Sequence, residues 1–152
     1  MRWSKIIVVA GVFALAAGIA WAEPDYIGAA KCKMCHKTEY TSWQGLAHAT
    51  AFDQLKPEEQ ADAECLACHA TGAKAELPGV QCEACHGPGS DYKGLKVMKD
   101  HDASVAAGLV IPTEATCKGC HEGAPHDQKA FDFEASKAKG VHEKKAKKEE
   151  AG

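Results

Sequence analysis

GVQCEACHGPGS, residues 79–90, separates Cys82 from Cys85 by two residues, sets His86 directly behind the second thiol, and then enters a glycine-proline turn. The pattern recurs as CKMCH (Cys32, Cys35, His36), CLACH (Cys65, Cys68, His69) and CKGCH (Cys117, Cys120, His121), so the four copies use all eight cysteines. Two thiols at this spacing can close a disulfide, supply half of a tetrahedral zinc site, or add covalently to the two vinyl groups of a haem. The histidine discriminates among these. Once both thiols are tethered to one edge of a porphyrin, the next side chain can reach the iron as its proximal ligand. With eight histidines in 152 residues, one follows a given pair about one time in twenty, so four by accident is on the order of 1 in 10^5. Disulfides or zinc account for paired cysteines but not for that coincidence, and the reading is four c-type haems.

The N-terminus supports the same chemistry. A basic start, MRWSK, precedes the apolar run IIVVAGVFALAAGIA and a small-x-small site at Ala20–Ala22, the pattern of a secretory signal cleaved before Glu23. The apolar run is shorter than the roughly twenty residues of a bilayer-spanning helix, so cleavage into the periplasm is expected over retention as an anchor, with no membrane contact afterwards. The expected organisation is a signal peptide over 1–22, one tetrahaem domain over 23–142 and a lysine-rich flexible tail over 143–152. Removing Arg2 and Lys5 from the 18 basic side chains leaves 16 against 21 acidic ones, a formal charge of −5. That balance excludes a nucleic-acid surface. Aromatic side chains are few and alanines many, so the haems themselves are expected to fill the core that a chain of this size needs.

Four histidines lie outside the motifs: His48, His101, His126 and His142. His48 falls in KTEYTSWQGLAHATAFDQL, which reads as a helix over 38–55 with Tyr40, Trp43, Ala47, Ala51 and Leu55 near one face. His101 sits between Asp100 and Asp102, three residues after Met98, the one credible thioether alternative. His142 follows a helix-like segment ending at Gly140. His126 is only five residues beyond His121, too close to swing easily across the same haem, and serves another iron or none. Further helices are expected over 57–69, 91–107 and 127–140, with no convincing strand. The fold class expected is mostly α, a small multihaem cytochrome c fold with a haem-dominated core and little sheet. Only twelve residues separate His69 from Cys82, so the second and third haems are expected to be neighbours.

With its flanking phrases YIGAAKCKMCHKTEYTSW, GVQCEACHGPGSDY and FDFEASKAKGVH, the chain resembles the tetrahaem cytochrome c-554 family over most of its mature length. The resemblance implies that His142 caps the haem at His36, His48 the haem at His86, and His101 the haem at His121. It also implies that the haem at His69 is five-coordinate, as in the family's nitrifier member, unless His126 reaches it. The expected function is single-electron transfer through mostly bis-histidine haems, between redox proteins with basic docking patches. Two alternatives are small nitrogen or oxygen ligand chemistry at an open His69 haem, and a haem filament with His142 donated between subunits. Asp62, Glu64 and Glu83 lie near the second and third motifs and are read as solvated rather than as acid-base groups.

Overall fold

The computed structural model describes residues 23–122, 126 and 130–144. The expected signal peptide and residues 145–152 of the expected tail lie outside them. Among the described residues eight α-helices follow in order: α1 (Ala29–Cys32), α2 (Lys37–Trp43), α3 (Ala63–His69), α4 (Cys82–His86), α5 (Leu95–Met98), α6 (His101–Ala106), α7 (Glu114–His121) and α8 (Phe133–Lys139). Short 3-10 turns occupy Ala47–Thr50, Phe52–Gln54, Glu59–Ala61 and Thr71–Ala73. Among the described residues there is no strand, only isolated bridges from Ala70 to Pro78 and Gly79. No described helix is long and apolar enough to cross a membrane.

Each long helix expected from the sequence is split or shortened, and each departure has an identifiable hydrogen-bonding cause. The expected 38–55 helix stops at Trp43, Leu46 is extended, and the chain resumes as two 3-10 turns. Long-range partners hold the break: Trp43 Nε1 donates to Val80 O at 2.8 Å, and Val80 N donates to His48 O at 2.8 Å. The 57–69 helix splits at Asp62, which turns extended and caps α3 by accepting from Glu64 N and Cys65 N. Asp100 does the same between α5 and α6, accepting from Ala103 N. Asp132 starts α8 by accepting from Ala135 N, so that helix begins six residues later than 127. In all three cases a short carboxylate satisfies N-H groups that a helix start leaves without intrahelical partners.

Three of the four cysteine motifs end a helix: α3 closes on His69, α4 on His86 and α7 on His121. A helix carries positions i, i+3 and i+4 on one face, so Cys65, Cys68 and His69 share a face, as do their counterparts in α4 and α7. The first motif keeps the same turn just past α1, with His36 N donating to Cys32 O at 2.9 Å.

Very little apolar side chain is buried. Among the described residues the buried hydrophobics are Ala29, Leu55, Leu66, Ala70 and Tyr92. Leu55, Leu66 and Ala70 form one cluster, with Phe52 and Cys65 packed against it. Polar groups hold the remaining architecture. Thr71, fully buried, donates from Oγ1 to Gly79 O at 2.9 Å and accepts from Gln81 N at 2.9 Å. The expected tail begins with an anchor, since Glu143 N donates to Ser42 Oγ at 2.7 Å.

Candidate functional site

Residues 25–29 dock along the third motif through a run of polar contacts. Glu83, only 1% exposed, accepts from Ile27 N at 2.9 Å, from Gly28 N at 2.7 Å and from Gly89 N at 2.7 Å. Gln81 Oε1 accepts from Ala29 N at 2.7 Å, and Asp25 N donates to Ser90 Oγ at 2.9 Å. Glu83 is therefore not solvated, as its sequence neighbourhood suggested; three backbone N-H groups replace its water. Asp62 is exposed and serves as a helix cap, and Glu64 is exposed. Tyr92, also missed by sequence reasoning, donates to His86 O at 3.1 Å and Gly87 O at 2.8 Å, satisfying carbonyls at the end of α4.

This docking brings the first and third motifs together. No disulfide joins any two of the eight cysteines. Cys32 and Cys82 hydrogen-bond to each other, which raises the Cys32 thiol strongly and lowers Cys82. Cys120 is pushed up to about 12 by burial and by its hydrogen bond with Cys68, so the second and fourth motifs also touch. Burial raises Cys85, and the nearby Cys117 adds to it, linking the third motif to the fourth. The second and third motifs, expected as neighbours from their short linker, both lie near Cys120 of the fourth, which interacts with Cys68 and with Cys85. Their linker folds back on itself, through Gly79 N to His69 O at 3.1 Å and the Thr71 contacts.

Two of the motif histidines are oriented from behind. His69 Nδ1 lies 2.7 Å from Ala51 O, and His86 Nδ1 lies 3.1 Å from Val110 O. A carbonyl only accepts, so each Nδ1 carries the proton and each Nε2 is left as the donor atom for a metal. Ala51 O also accepts from Gln54 N at 3.3 Å, so one carbonyl serves both the 3-10 turn and His69. Burial lowers both His48 and His86 below the ordinary histidine range, with His121 adding at His48 and with His142 and His36 adding at His86. The Val110 hydrogen bond opposes the shift at His86. A neutral imidazole is the form that ligates a metal.

Three imidazole pairs form, each joining one motif histidine to one from outside the motifs. The ring centres of His121 and His48 are 5.9 Å apart, those of His69 and His126 5.7 Å, and those of His86 and His142 6.3 Å. A first-row metal holds an imidazole nitrogen at about 2 Å with the ring centre roughly 1 Å beyond, so two imidazoles ligating one metal from opposite sides have centres roughly 6 Å apart. Edge-to-face ring contacts cover about 4.5–7 Å as well; the consistent pairing of one motif with one spare histidine is what such packing does not account for. Among the described residues no three His, Cys, Asp or Glu side chains converge as a metal site. The residues thus fit haem iron held between two imidazoles, with the scant apolar core fitting a porphyrin between the helices.

This pairing differs from the one the resemblance implied. His48 meets His121 rather than His86, because the Val80–His48 hydrogen bond fixes where that segment lies. His142 meets His86 rather than His36, with the Glu143–Ser42 contact beside it. His101 does not reach His121; it is 70% exposed with Nδ1 3.2 Å from Asp102 Oδ1. Phe131 stacks on His121 at 4.6 Å and 15°. Met98 ends α5, and Met34 is 83% exposed.

A family profile described as Cytochrome c554 and c-prime matches residues 31–87. Cytochrome c-554 of Nitrosomonas europaea is 30% identical over 162 residues, which cover 78% of this chain and 68% of that protein. The solved reduced state of cytochrome c554 from the same organism has a TM-score of 0.53 at 28% identity, over 68% of this chain and 70% of that one. A chaperone protein DnaJ from Limosilactobacillus reuteri is 30% identical over 87 residues, but these are 22% of the chaperone, so that likeness is confined to one segment.

Proposed function

The chain belongs to the cytochrome c-554 family, and from that premise we propose that it is an exported four-haem carrier of single electrons between redox proteins. The observation that carries this reading is the set of three facing imidazole pairs. Cys32 with Cys35, Cys65 with Cys68, Cys82 with Cys85, and Cys117 with Cys120 would each tether one haem, with His36, His69, His86 and His121 as proximal ligands. Haem iron cycles between its ferric and ferrous states and so supplies one electron at a time.

The chain's own work is to bring the attachment points together and fix the ligands. The Cys32–Cys82, Cys85–Cys117 and Cys68–Cys120 proximities give the order first, third, fourth, second motif. That order supports an electron path different from the order in sequence. His48 and His142 serve as distal ligands opposite His121 and His86. His36 and His101 are the remaining proximal and distal candidates, and we assign them to each other by elimination. The signal-like segment over 1–22 supports delivery to the periplasm, where covalent haem attachment takes place.

Mass spectrometry of the protein from a strain that attaches haem tests the count, and a reductive titration tests the carrier role. Four haem additions and four one-electron steps at low potential are expected. Fewer additions, or a disulfide- or zinc-bound chain without haem, would overturn the reading.

A further inference from the structure

Resting on the reading that the second motif holds a haem, the geometry points to His126 as the second axial ligand of the iron at His69. That haem is then closed to small external ligands, in contrast to the open site that the family resemblance implies.

Three observations converge on this assignment. His69 is locked from behind by Ala51 O at 2.7 Å, so its Nε2 faces away from that carbonyl, and the His126 ring centre lies 5.7 Å from the His69 ring at 72°. That spacing falls in line with 5.9 and 6.3 Å for the two other pairs. His126 is also unsuited to the nearer motif in sequence, because His121 is already faced by His48 and stacked by Phe131. The placement has a tertiary cause: the Cys68–Cys120 contact sets α7 against α3, so a residue just beyond α7 reaches the second motif rather than its own.

The competing explanation is a surface histidine drawn to an acidic neighbour. His126 is exposed and lies near Glu59. Glu59 is engaged elsewhere, however, with Lys56 N donating to it at 2.8 Å and Lys56 Nζ at 3.5 Å. An ion pair of that kind would not reproduce the imidazole spacing seen at the other two motifs.

The test compares the haem-loaded protein with His126→Ala and His126→Met, by ferric EPR and by carbon monoxide uptake after reduction. Mass spectra confirm four haems in each preparation, so a failed haem count is told apart from a failed ligand assignment. His126→Ala is expected to convert one iron per chain from low to high spin and to add one equivalent of bound carbon monoxide. His126→Met is expected to keep that iron low-spin while raising its potential, since a thioether in place of imidazole favours the ferrous state. An equal number of high-spin irons in the parent and His126→Ala overturns the assignment. Should His126→Ala fail to retain four haems, His126→Met decides: a raised potential at one iron supports the ligand role, and a titration identical to the parent's overturns it.

Discussion

Glu83 sits one residue after Cys82, yet its partners Ile27 and Gly28 are 56 and 55 residues away in the chain. Its two oxygens accept from three backbone N-H groups, a number that one amide oxygen cannot replace without turning the amide nitrogen toward another donor. Glu83→Gln is therefore expected to lower the stability of the haem-loaded protein by about 1–3 kcal/mol, the cost of leaving a buried donor unpaired. Guanidinium unfolding followed by haem absorbance checks this, and a midpoint equal to the parent's would contradict the docking role. The four CxxCH motifs were legible because their pattern is local, five residues repeated four times. Glu83 was legible only as one more acidic residue, since its burial is created by a segment far from it in the chain.

At the scale of elements, the turn at Gly79 shows why helix periodicity misled. Gly79 has a φ of +80°, and a Cβ there would lie 2.6 Å from Ala49 O. The turn passes directly against the interrupted 47–50 segment, where Val80 N takes the His48 carbonyl. Gly79→Ala combines left-handed strain with a backbone clash, and a loss of about 1–3 kcal/mol is expected, seen as a lower Tm with the haem count unchanged. An unchanged Tm would mean that the 47–50 segment can retreat from the turn at no cost. The apolar spacing over 38–55 suggested one continuous helix, but that signal reports which side chains face inward and not whether the backbone between them is needed by another segment. The starts at Asp62, Asp100 and Asp132 carried a readable cue, a short polar side chain before a helical stretch. It was outweighed by the length of the apolar pattern.

At the scale of the whole molecule, five buried hydrophobic side chains among the described residues cannot offset the roughly 1–2 kcal/mol per residue that ordering a backbone costs. The chain made without haem attachment is accordingly expected to show no cooperative thermal transition and no near-UV circular dichroism. A sharp transition in that preparation would contradict a core built from cofactor. The acidic balance of the chain, 21 acidic against 18 basic side chains, makes a second prediction. Electron transfer with a basic partner is expected to slow as ionic strength rises beyond about 0.1 M, where surface charges are screened over about 10 Å. Rates independent of salt would remove the charge-guided docking.

What the amino-acid sequence determined by itself was the c-type cytochrome family, four CxxCH motifs, and a mostly helical chain around them, because those features depend on contacts within a few residues. The roles open to the spare histidines were visible, but not their partners. Only the tertiary structure set His48 against His121, His142 against His86 and His126 against His69, and brought Cys32 to Cys82 and Cys68 to Cys120. The physical reason is that these choices depend on buried contacts between distant segments. Glu83 with residues 27–28, Val80 with His48 and Cys68 with Cys120 decide which helix ends meet, and no local spacing encodes them.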